Sequence, residues 1–121
     1  MFDLSTEEAR LLLQIALMAT GRNRFQSSAK VLAALEEFRP QNHSITVAKM
    51  VLMMSAQDFT GAIRFADDEA LRLFPDSGMI KSFKGLALIR LARRDEAMQV
   101  LAEAAQSTDH VAAQMARDMM S

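Results

Sequence analysis

Two histidines, His43 and His110, are the only imidazoles in the 121-residue chain, and cysteine is absent. Disulfide and thiol chemistry are therefore excluded. The histidines lie far apart in sequence, and no grouping of His, Asp and Glu has the spacing of metal ligands. Asp67-Asp68-Glu69 carries charge enough for a hard cation. It lacks the glycine turn and alternating ligands of a calcium loop, however, and reads as the solvated face of a helix. Arg93-Arg94 stands where a helix should end, a place for cations that complement the helix dipole. Gly21, Gly61, Gly78 and Gly85 form no phosphate-cradling loop, and no serine has a base that the sequence can pair with it. The residues offer no catalytic constellation, metal site or cofactor motif, and we expect a protein that is not an enzyme.

What the sequence does carry is helical pattern. Ile45 to Ser55 has almost no polar face apart from Lys49 and the hydroxyl residues, and Leu11–Ala19 and Leu86–Ala92 have the same character. A helix apolar nearly all round must be covered on more than one side. Ser5-Thr6-Glu7-Glu8 forms a capping box that opens a first helix, expected to stop at Gly21. Phe25–Phe38 follows with Ala29, Leu32, Leu35 and Phe38 on one stripe, and Pro40 ends it. Ser44 is expected to cap the third helix, to Ser55. The fourth runs from Phe59 to Phe74 before Pro75, and the fifth from an Asp76-Ser77 cap to Ala92. The sixth spans Glu96–Gln106, and the last runs from His110 to Met120 behind a Thr108 or Asp109 cap. No stretch alternates with period two for long enough to be a strand.

Composition agrees with one soluble all-α domain. Half of the residues are hydrophobic and a quarter charged, as in globular chains. Basic and acidic side chains number five each in residues 1–40, three against four in 41–75 and six each in 76–121. With no basic patch, nucleic acid and anionic membrane are not expected partners. The start, Met-Phe-Asp-Leu, is acidic where a signal peptide is basic, and no apolar run approaches the roughly 20 residues of a membrane span. A cytoplasmic location is the expectation. Methionine is over-used, at ten residues including Met53-Met54 and Met119-Met120. Its flexible thioether fills irregular core gaps and also serves surfaces that accept a partner helix.

The chain repeats itself. Ser28 to Ala62 is 34 residues, while Ala62 to Ala97 and Pro40 to Pro75 are each 35. Two helices per period of about 34, with proline closing the second, is the tetratricopeptide pattern. The third unit fits best, with Gly85, Leu88, Ala97, Leu101 and Ala104 at the small–large–small spacing that lets two helices cross closely. In the second unit one extra residue separates the part that fits around Ala62 from the part that fits around Ala70-Leu71. The expected architecture is a tetratricopeptide-like helical-repeat solenoid in a single domain. It has about three helix pairs, roughly residues 5–40, 44–75 and 77–107, and a capping helix at 109–120. In a solenoid the first helix of each pair lines a concave groove. That places Leu13, Leu17, Val47, Val51, Met54, Met79, Leu86, Ile89 and Arg90 in it. So apolar a groove suits an amphipathic helix. Closure of the same helices into a bundle, or self-association through that face, would also cover them. A helix-turn-helix regulator would need a basic recognition helix, which the sequence lacks.

Four stretches carry a resemblance: Ala-Leu-Met-Ala-Thr-Gly-Arg (16–22), Ser-Ala-Lys-Val-Leu-Ala-Ala-Leu-Glu (28–36), Gln-Asp-Phe-Thr-Gly-Ala-Ile (57–63) and Ser-Thr-Asp-His-Val-Ala-Ala-Gln-Met-Ala-Arg (107–117). In them the chain resembles the small tetratricopeptide-fold chaperones that hold the needle subunit of bacterial type III secretion systems. The resemblance implies about three repeats with a capping helix. It also implies a client, the amphipathic C-terminal helix of the needle protein, gripped in the groove, and often a second small helical co-chaperone. By position it gives that contact to Val47, Val51, Met54, Leu86 and Ile89. The expected role is to prevent premature polymerisation of the client; the alternative is a generic tetratricopeptide adaptor or a homodimer.

Overall fold

Left-handed backbone occurs at Asn23, Gln41, Gln57 and Ala92, and three of these, Asn23, Gln57 and Ala92, stand at intervals of 34 and 35 residues. Each of these residues ends the turn between one helix and the next. The computed structural model describes residues 5–121; the acidic Met-Phe-Asp-Leu start lies outside the described residues. Within them there are seven helices and no strand. They are α1 (Thr6–Gly21), α2 (Phe25–Phe38), α3 (His43–Ser55), α4, α5 (Gly78–Arg90), α6 (Arg94–Ala104) and α7 (His110–Met120). Helix α4 begins as Phe59–Phe65, passes through a π-helical turn at Ala66–Ala70 and finishes as Leu71–Leu73. None of the described helices is long and apolar enough to cross a membrane.

The turns explain where the expected boundaries shift. The Ser5–Glu8 capping box is present. Gly21, expected to be the terminating glycine, is instead the last residue of α1. Asn23 takes the left-handed position, its N–H donating to the Thr20 carbonyl at 3.0 Å while the Arg24 N–H donates to Ala19 at 2.8 Å. Ala92 does the same after α5, with Ala92 N–H on Ile89 at 3.0 Å and Arg93 N–H on Leu88 at 2.8 Å. Both are Schellman closures, which satisfy the last carbonyls of a helix. The second closure ends α5 at Arg90 rather than Ala92 and starts α6 at Arg94, two residues before the expected Glu96. Helix α3 also starts early. Asn42 Oδ1 accepts the Ile45 N–H at 3.0 Å and the Asn42 carbonyl accepts Thr46 at 3.0 Å, so Asn42 is the cap and Ser44 lies inside the helix.

The π-helical turn falls where the expected second repeat carries its extra residue. Inserting one residue into an α-helix without rotating the remainder of the helix requires one wide turn. The turn at Ala66–Ala70 leaves Ala62, Ala66 and Ala70 all fully buried, with Asp67, Asp68 and Glu69 outside.

The chain divides into two compact units, residues 1–56 and 57–121. In the first, α1 and α2 pack side by side and α3 packs on both. Its core is Ala16, Leu32, Leu35, Ile45 and Ala48, bordered by Ala9, Leu12, Leu13, Val31 and Leu52. Thr20 and Ser28, both buried, share a 2.7 Å hydrogen bond between hydroxyls that joins α1 to α2. Lys49 of α3 reaches Glu36 of α2 at 3.0 Å.

In the second unit α5 is central, packed on α4, α6 and α7. The approach of α6 depends on Gly85, where a Cβ would run into the fully buried Leu101 side chain. This is the crossing that the Gly85–Ala97–Leu101–Ala104 spacing predicts. Gly78 likewise admits Ser107 and Ala112, and the buried Ser82 hydroxyl donates to the Ala112 carbonyl at 3.1 Å. Helix α7 contributes Ala112, Ala113 and Ala116, all buried, to the same core.

Candidate functional site

The charged residues build surface ties. His43 and His110 are exposed, and no group of three or more His, Cys, Asp or Glu among the described residues is arranged to hold a metal. Asp67 is fastened to Lys84 at 2.6 Å. Arg93 does not serve the end of the preceding helix, as the sequence suggests. Its guanidinium forks onto Glu96 one turn into α6, with Nε–Oε2 at 2.7 Å and Nη2–Oε1 at 2.8 Å. That hydrogen-bonded pairing holds the Glu96 carboxyl below the usual carboxylate range and raises the Arg93 guanidinium above its own. Both groups stand in solvent, where such pairs contribute little to stability. Asp67, Lys84, Arg93 and Glu96 line one shallow hollow together with Lys81 and Glu103, and their pairing ties turns and helix faces together.

The apolar faces are more informative, beginning with α3. Its Ile45–Ala48 side belongs to the core of the first unit, and a second side carrying Thr46 and Met50 is buried too. Two buried sides on one short helix meet the expectation drawn from its all-round apolar sequence. Between them, Val47, Val51 and Met54 recur at i, i+4 and i+7 and are all half-buried. That spacing puts them on one stripe. In α1, Leu13 and Leu17 also share a stripe, but their surroundings differ. Leu13 packs against the core and borders a hollow with Ala9, Arg10, Leu35 and Ile45, whereas Leu17 is exposed.

In the second unit α5 repeats the arrangement. Gly78, Ser82 and Gly85 form one buried side, Ile80, Ala87 and Leu88 another. Met79, Phe83 and Leu86, half-buried, and the exposed Arg90 lie between them at steps of four, three and four. Arg90 is not a free cation at the end of this stripe, since its guanidinium carbon sits 5.2 Å from the centroid of the Phe59 ring on α4. Cation–π contact of this kind fixes a long side chain in place. Ile89, which the sequence groups with Leu86, follows the Gly85 side instead, four residues on. Phe83 and Phe59 are the residues that sequence reasoning misses. Phe83 has a readable signal, because it stands four residues after Met79 and three before Leu86. Phe59 has none, because its role depends on how α4 packs against α5.

Each unit thus presents a narrow, half-exposed apolar stripe on a helix already covered on two sides. Such a stripe has flexible Met, branched Val and Leu and an aromatic ring, and it offers apolar contact without fixed polar partners. Apolar contact of that kind is the chemistry by which amphipathic helices are bound in general. In comparisons with known proteins, no family model, curated protein or solved structure matches the chain.

Proposed function

We propose that this chain is a binding protein that shields an amphipathic helix. In the sharpest form of this reading it is a cytoplasmic tetratricopeptide-fold chaperone of the type III secretion kind, covering the surface through which a needle-forming subunit would polymerise. The observation that carries the reading is the pair of half-exposed stripes, Val47–Val51–Met54 on α3 and Met79–Phe83–Leu86 on α5. Recurrence of the left-handed turn residue at 23, 57 and 92 supports the helical-hairpin repeat that the reading needs. So does the close Gly85–Leu101 crossing. The resemblance of residues 16–22, 28–36, 57–63 and 107–117 supplies the class of client.

The test is to place one carboxylate on each stripe separately. Val51→Asp and Leu86→Asp each leave the buried sides of their helix untouched, so helical content and cooperative unfolding should persist. An aspartate desolvated beneath a bound helix costs several kcal/mol, so each variant should lose client binding. Unchanged binding in both, measured against the purified client or its isolated amphipathic helix, would show that the stripes are not the site.

A further inference from the structure

The Leu11–Ile15–Met18 face of α1 carries none of the residues assigned to client binding. Of the seven large apolar side chains exposed among the described residues, four are on this one helix: Leu11 (58%), Ile15 (52%), Leu17 (40%) and Met18 (58%). Leu11, Ile15 and Met18, at steps of four and three, lie on one stripe directly opposite the buried Ala16 and Thr20. An apolar stripe of this kind left in water marks an interaction surface. Its ends show what covers it. Glu7 stands on the same face one turn before Leu11, and Arg22 directly after the helix, one turn beyond Met18; both are exposed. The face therefore reads acid, three apolar residues, base along its length.

Such a face is complementary to itself in the antiparallel direction. Pairing Leu11 with Met18 of a second copy also pairs Met18 with Leu11. The same register sets each Glu7 against Arg22 of the other copy and brings the two Ile15 side chains together at the axis, beside Gln14. One register satisfies every pair, as a two-fold isologous contact requires. The antiparallel helix dipoles reinforce it. We infer that this protein associates with a second copy of itself through the outer face of α1, with Leu11, Ile15 and Met18 at the centre and reciprocal Glu7–Arg22 pairs at both ends. One helix face is a small interface, so the dimer exchanges with monomer in the micromolar range.

The mass of the purified full-length protein, measured by sedimentation equilibrium over a concentration series, tests this directly. A concentration-dependent dimer that weakens as salt is raised is the expected result. Ile15→Asp should shift the protein to monomer with its helical circular dichroism unchanged, because Ile15 lies outside the buried core and is more than half exposed. Glu7→Arg and Arg22→Glu should each weaken self-association by setting like charges together. An equimolar mixture of these two variants should associate again as a heterodimer, since both end pairs are then opposite in charge. A wild-type protein that stays monomeric throughout overturns the inference. So does a dimer that survives Ile15→Asp, or a mixture that associates no better than its components. None of these results bears on client binding by α3 and α5, because the residues are different.

Discussion

Ala92 holds a left-handed backbone angle, φ 60°, without being glycine. An L-residue there costs about 1–2 kcal/mol in steric strain, while glycine would add about 0.5–1 kcal/mol of unfolded-state entropy. Ala92 is exposed and lies outside the buried core. Ala92→Gly should therefore stabilise the protein by about 0.5–1 kcal/mol, read as a higher urea midpoint with an unchanged slope. A lower midpoint would mean that the turn is not strained. The same position shows why one expected boundary shifts. Sequence reasoning places helix ends at glycines and prolines, and Pro40 and Pro75 do mark ends. The three repeating turns use Asn23, Gln57 and Ala92, of which only asparagine has a recognised tolerance for this conformation. Gly21 is therefore an attractive but misplaced stop signal.

At the scale of the helix, two features are readable from spacing and one only from the fold. The close crossing of α5 and α6 is readable, because glycine and alanine recur where large residues would separate the axes. Gly85→Ala pits a helix-propensity gain of about 1 kcal/mol against overpacking of about 1–3 kcal/mol onto Leu101. Leu101 is fully buried and has little room to yield. The variant should be less stable by about 1 kcal/mol in chemical denaturation, and a more stable protein would contradict the tight crossing. The extra residue in α4 is visible in the repeat register, and the structure gives its form, one wide turn at Ala66–Ala70. Deleting Asp68 should convert that turn to ordinary α-helix and keep Ala62, Ala66 and Ala70 facing inward. Circular dichroism and cooperative unfolding should survive it. Deleting Ala102 from the regular α6 would rotate everything after it by about 100° and should abolish cooperative unfolding. Equal damage from the two deletions would show that the π turn does not absorb the insertion. The Arg90–Phe59 contact, by contrast, joins residues 31 apart with no periodic link between them, so no pattern search reveals it.

For the whole chain, helices that are apolar all round imply something that covers them. Burial of two sides each on α3 and α5 answers much of that need internally, through Ala48, Met50, Ile80 and Leu88. What remains open is a stripe one residue wide on each helix. The candidate site is thus narrower than the nine residues the sequence nominates. Val47, Val51 and Met54 hold together on α3, as do Met79 and Leu86 with Phe83 on α5. Leu13 is drawn into core packing, Ile89 follows the Gly85 side, and Arg90 is held by Phe59. Helical periodicity identifies which residues share a stripe. How far neighbouring helices cover that stripe depends on packing between segments distant in sequence, which periodicity does not contain.

The central claim is that each of these stripes is a surface for an amphipathic helix, and the most direct measurement is a native pull-down from the host with co-purifying chains identified by intact mass. It should be run in parallel on the wild type, Val51→Asp and Leu86→Asp. The account predicts one small helical chain at one-to-one stoichiometry with the wild type, lost from both variants while their own helical content is retained. Recovery of the wild type without such a chain, or capture of the same chain by both variants at wild-type levels, would contradict it.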